Sequence, residues 1–592
     1  MYSALYRQFM ASAIILATVT CCLAQDARMS GSLRKWAPVT LDFAGPSATT
    51  ADSTPNPFLD YRLQVKFTSP AGKTYDVPGF FDGDGQGAQA GAVWRVRFTP
   101  DEVGTWKYQA SFRKGPQVAV SLDASAGEPA GFDGAAGAFE VVEQDPAAPG
   151  FHKWGRLEYV GQHYLKFRDG PYWLKGGVDE PENLLAYKGF AGTPRATHQY
   201  AAHVQDWREG DPDWSDGAGK GIIGAVNYLA SRHVNSIYFM PMNIGGDGDD
   251  TWPYLSSPEG AAVDNLHFDV AKLAQWEVVF AHAQRQGLLL HFVLNEAEHG
   301  NKRYLDDTQL GPQRKLYYRE LIARFSHHLA MQWNLCEEYG GQLRLGPDLV
   351  KAYAQYIHDV DPYDHPVTVH NAGTVDRAWG PFLGDRRFQI TSFQTRDTSV
   401  VRAWREKSAA AGFIQVVNMD ELWPDAAEVD NADRYRQQYV WPIYLSGGNL
   451  ELILRELLAT EDFRKYQHHW DNLWNARKLL LDLPFWEMMP ADELLTEATT
   501  FAFRKKTFGG KVYAKAGQVY VVYLPVADGR GRLDLSAVPG EFVRQWYNPR
   551  TGEFAGDPVG LKGGQVVELG SPPSEVVQDW ALLIRGVQGQ SP

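Results

Sequence analysis

Apolar and polar positions change rhythm twice along this chain. From about Gly31 to Val142, short runs alternate with a period of two and are broken by Gly, Pro and Asp; Ala37–Phe43, Tyr61–Phe67 and Val93–Phe98 are the clearest. Successive strand residues point to opposite faces, so such runs predict half-buried strands. Their close spacing without helices predicts an antiparallel β-sandwich of immunoglobulin type over residues 31–143. After Thr99-Pro-Asp-Glu-Val-Gly the next strand puts Trp106 and Tyr108 on one face. Asp82-Gly-Asp-Gly lacks the ligand spacing of a calcium loop and reads as a glycine-rich turn.

Past the linker Gln144-Asp-Pro-Ala-Ala-Pro-Gly, apolar runs alternate with segments of helical spacing, the pattern of parallel βαβ units. Tyr172–Gly177, Asn235–Asn243, Leu288–Leu294 and Leu329–Cys336 read as the first four strands. Pro366–His370, Phe388–Phe393, Ile414–Asn418 and Gly448–Leu454 read as the next four. Helices are expected over Gly221–Arg232, Asp269–Gln286 and Leu316–His328, with Gly287 closing the second. Eight such units over residues 150–495 predict a (β/α)8 TIM barrel, whose functional residues collect where the strands end. From about Thr499 helices vanish again. Val512–Ala516, Val519–Leu524, Phe542–Tyr547 and Ala581–Arg585 predict a second β-sandwich over residues 499–588, with Asn548-Pro-Arg-Thr-Gly-Glu as its clearest turn.

Composition adds three constraints. A net charge of -14 without a Lys/Arg cluster argues against nucleic acid or an anionic membrane as partner. The 19 Trp, 28 Tyr and 29 Phe favour a carbohydrate partner mildly, because aromatic rings stack on sugar faces but also build sandwich cores. Arg7, the apolar run Phe9–Val19 and Cys-Cys-Leu-Ala before Gln25 read as a signal peptide over residues 1–25, so a secreted or periplasmic protein is expected. Anchoring as a lipoprotein through Cys21 or Cys22 fits less well, because Thr18-Val-Thr precedes them. With the signal removed, Cys336 is the one cysteine left and no internal disulfide can form. No later run of apolar residues is long enough to span a membrane.

The chemistry is carried by acids at strand ends. The fourth strand stops at Glu337 and Glu338, the seventh at Asp420 and Glu421. Cleaving a glycosidic bond needs one carboxylic acid to protonate the leaving oxygen and another carboxylate to attack or to activate water. Strands four and seven face one another across a barrel, so their terminal acids form a natural pair. Alternation groups Asn334, Cys336 and Glu338 on the mouth side, which favours Glu338 as acid/base over Glu337 unless a bulge reverses the parity. Glu421 is preferred to Asp420 as nucleophile, with the parity there ambiguous. Asp179, Glu182 and Asn183 after strand one, Asn243 and Asp247 after strand two, Glu296 after strand three, Asn334 and His370 are expected to bind substrate. Trp252, with Tyr254, would supply an aromatic platform. Glu296, Glu298, His299 and His291 match no zinc spacing, so no metal or cofactor is expected.

Several segments together resemble a family. They are Val93-Trp-Arg-Val-Arg-Phe-Thr-Pro with Gly104-Thr-Trp, Leu174-Lys-Gly-Gly with Asp179-Glu-Pro-Glu-Asn, Tyr238-Phe-Met-Pro-Met-Asn-Ile-Gly-Gly-Asp-Gly, Trp333-Asn-Leu-Cys-Glu-Glu, and Trp546-Tyr-Asn-Pro-Arg-Thr-Gly-Glu. The mature chain resembles secreted bacterial glycoside-hydrolase-like proteins. These combine an immunoglobulin-like N-terminal domain of unknown function, a barrel related to the apiosidase-like group, and a C-terminal sandwich labelled as collagen-binding. The resemblance implies an acid/base at Glu338 and a partner acid at Glu421; the family usually has Gly where this chain has Cys336. A secreted glycoside hydrolase acting on a poly- or oligosaccharide, of retaining type, is therefore the leading expectation. A non-catalytic carbohydrate- or matrix-binding barrel is the first alternative. The second is a polysaccharide lyase using a base such as His370 or a Tyr.

Overall fold

The period-two runs of the N-terminal segment pair as two antiparallel sheets. The computed structural model describes residues 27–422, 429–503 and 506–587; the expected signal peptide lies outside them. One sheet is built on Val39–Thr49 and Ala90–Phe98, the other on Tyr61–Thr68 and Gly104–Lys114. Trp94, Phe98, Trp106 and Phe112 are buried between them, and Tyr108 lies on the same face as Trp106. The Asp82 turn is tied inward: Arg95 donates to the Asp82 carboxylate, while Asp84 accepts from the backbone N–H groups of Gln86 and Ala88.

The alternating middle of the chain folds as a (β/α)8 barrel. Its strands are β1 (Gly176–Val178), β2 (Ser236–Phe239), β3 (Leu289–Val293), β4 (Met331–Asn334), β5 (Val367–Thr368), β6 (Phe393–Gln394), β7 (Asn418–Glu421) and β8 (Asn449–Leu452). They pair in parallel in the order β5-β4-β3-β2-β1-β8-β7-β6, and a bridge between His370 and Ser392 joins β5 to β6 and closes the ring. Helix ends follow local chemistry. Asp269 caps Val270–Gln286 by accepting from the Lys272 N–H, and Gly287 closes it at φ 82°, a conformation that Gly reaches without a Cβ clash.

The regular strands are shorter than the apolar runs that announce them. In β6 and β7 regular pairing begins late in the run. Ile390 and Val416 meet only in an isolated bridge before regular pairing begins, and the register shifts between Phe393 and Gln394. That irregularity moves the end of β6 one residue beyond the apolar run, to Gln394.

Both sandwiches dock on the barrel through buried polar contacts. Arg319 and Arg324, on the helix Pro312–Phe325, donate to the backbone carbonyls of Gly79, Leu63 and Phe81 in the N-terminal sandwich. The C-terminal sandwich has a six-stranded sheet including Lys511–Lys515, Val519–Leu524, Glu541–Asn548 and Trp580–Gly586. It is joined to the barrel by a bidentate pair between Arg436 and Asp579, at 2.9 and 2.8 Å, with both side chains buried. Tyr523 also donates to Asp579, and its ring stacks on Trp441. Among the described residues no helix is long and apolar enough to cross a membrane.

Removing one member of a buried ion pair leaves the other charge desolvated, which costs about 3–5 kcal/mol. Asp579→Ala is therefore expected to loosen the C-terminal sandwich first. Calorimetry should show a new, earlier unfolding transition ahead of that of the barrel, and limited proteolysis should release the C-terminal segment.

Candidate active site

Two layers of ionisable side chains fill the barrel axis. In the lower layer Lys175 Nζ lies 2.8 Å from Asp420 Oδ1 and 2.9 Å from Glu451 Oε2. Glu451 also accepts from the Ser236 hydroxyl and faces His291 Nδ1 at 2.8 Å. His291 Nε2 accepts from the Asn334 amide at 3.2 Å, so the neutral ring carries its proton on Nδ1, toward Glu451. Burial lowers the His291 pKa well below its usual range and so keeps the ring neutral. None of these side chains is solvent-exposed. Asp420, the alternative nucleophile, is thus held by Lys175 below the mouth. Asn334, expected to bind substrate, instead spans His291 and Ser392 inside the barrel.

The upper layer is the mouth. Glu337, Glu338 and Glu421 meet there with Gln394 and His370. The Gln394 amide donates to Glu338 Oε1 at 2.7 Å and to Glu421 Oε2 at 3.0 Å, bridging the ends of β4 and β7. His370 Nδ1 accepts the Glu338 backbone N–H at 3.3 Å. The neutral ring therefore carries its proton on Nε2, which faces Glu421 Oε2 at 3.2 Å. Burial lowers the His370 pKa to about 3, so the ring is neutral across the physiological range.

Strand parity breaks just before the acids. Trp333 and Leu335 donate their N–H groups to Pro366 and Thr368 on the β5 side. An unbroken strand would send Glu337 the same way, yet its N–H goes to Asn295 on the β3 side. Glu338 follows at φ 37°. The irregularity turns both glutamates into the mouth, which corrects the expectation that only one of the two points inward. Cys336, expected on the mouth side, is buried; its Sγ lies 3.0 Å from the Glu337 carbonyl, and burial pushes the thiol up to about 12, so it carries no thiolate at neutral pH.

Glu337 is almost fully buried and accepts from the Tyr238 hydroxyl at 3.1 Å. One ligating atom each of Glu337, His370 and Glu421 lie within 4.8 Å of one another, and so do one oxygen each of Glu182, Glu296 and Glu337. Burial pushes the Glu337 carboxyl up to about 7; a hydrogen bond with Glu182 opposes this and the Glu338 charge adds to it. Burial followed by repulsion from Glu337 holds Glu421, Glu182, Glu296 and Glu180 well above the usual carboxylate range. Asp179 is raised by burial and then by Glu180.

Other expected contacts are spent on structure. Asn183 and Asn243 both donate to Asp250 at 2.8 Å, joining the loops after β1 and β2 rather than facing a ligand. Trp252 and Tyr254 are buried and form no platform, with the Trp252 indole donating to Ser256. Asp247 is exposed at the rim. His291 sits in the lower layer and His299 is exposed, so the two do not meet with Glu296 and Glu298 as a ligand set. Gln394 is the contact missed by the sequence reading. Its only signal is position, directly after the sixth apolar run, and a neutral amide does not draw the eye as an acid does.

Residues 32–113 match a family model described as a domain of unknown function (DUF5060). No curated protein matches the chain. A candidate glycoside hydrolase from Bacteroides vulgatus ATCC 8482 is similar in structure, with a TM-score of 0.63, 16% identity, and coverage of 94% of this chain and 99% of that one. A glycoside hydrolase family 5 protein from the same organism has a TM-score of 0.54 and 14% identity, covering 75% of this chain and 96% of that one. A third structure, described as a glycoside hydrolase, has a TM-score of 0.53 and 13% identity over 74% of this chain and 98% of its own. At these identities the likeness establishes the fold alone: a TIM barrel flanked by β-sandwiches.

The position of Glu337 has a consequence for stability. A carboxyl raised to about 7 in the folded chain, from an ordinary 4.5, binds its proton more tightly folded than unfolded. Its contribution is fully present below about pH 4.5 and is lost as pH rises through about 7. In metal-free buffer the wild-type Tm should fall across this window, and Glu337→Gln should flatten the fall by roughly one proton's worth of slope.

Proposed function

We propose that the chain is a secreted glycoside hydrolase cleaving a poly- or oligosaccharide with retention, Glu338 acting as acid/base and Glu421 as nucleophile. The observation that carries this reading is the Gln394 amide, bonded at once to Glu338 at 2.7 Å and to Glu421 at 3.0 Å. Two carboxylates reaching one nitrogen are below about 6 Å apart, closer to the roughly 5–5.5 Å of retaining enzymes than to the roughly 6.5–9.5 Å that admits a water. The barrel's resemblance to the apiosidase-like group belongs to the same reading.

The roles divide by environment. Glu338 is partly exposed, where a leaving group can depart and water can enter. Glu421 is buried and accepts an N–H from Gln394, which favours its ionised form. Glu337 is the neighbour whose charge most opposes that ionisation; in the metal-free chain it is protonated below about pH 7 and no longer does so. In the first step Glu421 attacks the anomeric carbon while Glu338 gives its proton to the leaving oxygen. In the second Glu338 takes a proton from water, which releases the sugar from Glu421. His370 does not serve the lyase alternative: its Nδ1 accepts a backbone N–H, and burial removes its basicity.

A panel of polysaccharides, read for reducing ends and for ultraviolet absorbance, tests the reaction class. Glu338→Gln should cost about 10²–10⁴-fold in turnover on natural glycans, and far less on glycosyl fluorides, which need no proton for departure. Glu421→Ala should be inactive and regain turnover with azide, giving a glycosyl azide of inverted configuration. Unchanged activity in Glu338→Gln would refute its role, and an unsaturated product would replace the hydrolase by a lyase.

A further inference from the structure

The two layers of the barrel differ in how their negative charge is balanced. Below, Lys175 lies between Asp420 and Glu451. Above, Glu182, Glu296 and Glu337 converge from the ends of β1, β3 and β4, one oxygen of each within 4.8 Å of the others. Among the described residues no Lys, Arg or His forms an ion pair with any of these three. Buried carboxylates are ordinarily paired or coordinate a metal.

A second observation points to a ligand. Glu296 is 1% exposed, yet its Oε1 has no hydrogen-bond partner. Glu180, two residues before Glu182, is 3% exposed and leaves Oε2 without a partner. The stem of Glu296 is fixed from outside: a Cβ at Gly246 would fall 2.6 Å from its Cγ, so the loop after β2 packs directly on it. The site is therefore built rather than a loose surface cluster, and Glu182, partly exposed, leaves it open toward the mouth.

We propose that Glu182, Glu296 and Glu337 hold one divalent metal cation, calcium in the first instance. The donors are all carboxylate oxygens, which select hard cations over zinc or copper. Two oxygens bound to one calcium at about 2.4 Å cannot be more than about 4.8 Å apart, and the three meet that condition. The ion supplies the positive charge that Lys175 supplies one layer below. On its open side, water or sugar hydroxyls complete its shell beside Glu338 and Glu421. The proposal does not depend on the hydrolase reading.

The test uses the full mature chain, stripped with chelator and titrated calorimetrically with calcium chloride alone, then with manganese and magnesium chloride. One equivalent of calcium should bind with an affinity on the order of 10⁻⁵ M or tighter and raise the Tm. Glu296→Gln and Glu182→Gln should each weaken binding at least tenfold. Glu338→Gln should bind as wild type while losing hydrolysis, which separates this proposal from the preceding one. Circular dichroism checks the fold of each variant; if Glu296→Gln does not fold, the partly exposed Glu182→Gln carries the test. Absence of binding by all three metals overturns the site. So does binding of glucosamine in place of metal with loss in the same variants, because the trio would then be an ammonium pocket.

Discussion

Lys175 reaches from the residue just before β1 to Asp420 on β7 and Glu451 on β8, so one ammonium ties together three adjoining staves of the barrel. His291, Ser236 and Asn334 extend the network to β3, β2 and β4. This ring of polar contacts forms the floor of the mouth. It holds the ends of β4 and β7 at a fixed spacing, and the paired glutamates above depend on that spacing.

The mouth itself depends on departures from regularity. An ideal β4 would alternate Glu337 and Glu338 between core and mouth. The slip after Leu335 and the positive φ at Glu338 turn both acids inward. A register shift at Phe393/Gln394 likewise brings an amide to the end of β6, where it spans the two carboxylates. Bulges at strand ends are a recurrent means of aiming side chains that a strict period-two strand would hide.

The flanking sandwiches reinforce the barrel from outside. Arg319 and Arg324 satisfy sandwich carbonyls from a barrel helix, and Asp579 receives Arg436, Tyr523 and Arg550. Each contact buries a charge, so each is sensitive to geometry, and the three domains are coupled more tightly than their distinct sequence patterns suggest.

Those patterns were enough to determine the architecture. Period-two runs at both ends and alternating strands and helices between them specify two sandwiches around a barrel, because side-chain periodicity follows directly from backbone geometry. Acids directly after the apolar runs also marked the ends of β4 and β7, so Glu337, Glu338, Asp420 and Glu421 were legible as strand-end groups. Their grouping was decided only by the tertiary structure. Lys175, Glu451 and His291 are far apart in the chain and become one network only when the ring closes. Trp252, Asn183 and Asn243 look like ligand contacts in sequence, but packing buries the first and Asp250 engages the other two. Gln394 came to light only in three dimensions, because a bridging amide is defined by the two distances it makes rather than by any pattern along the chain.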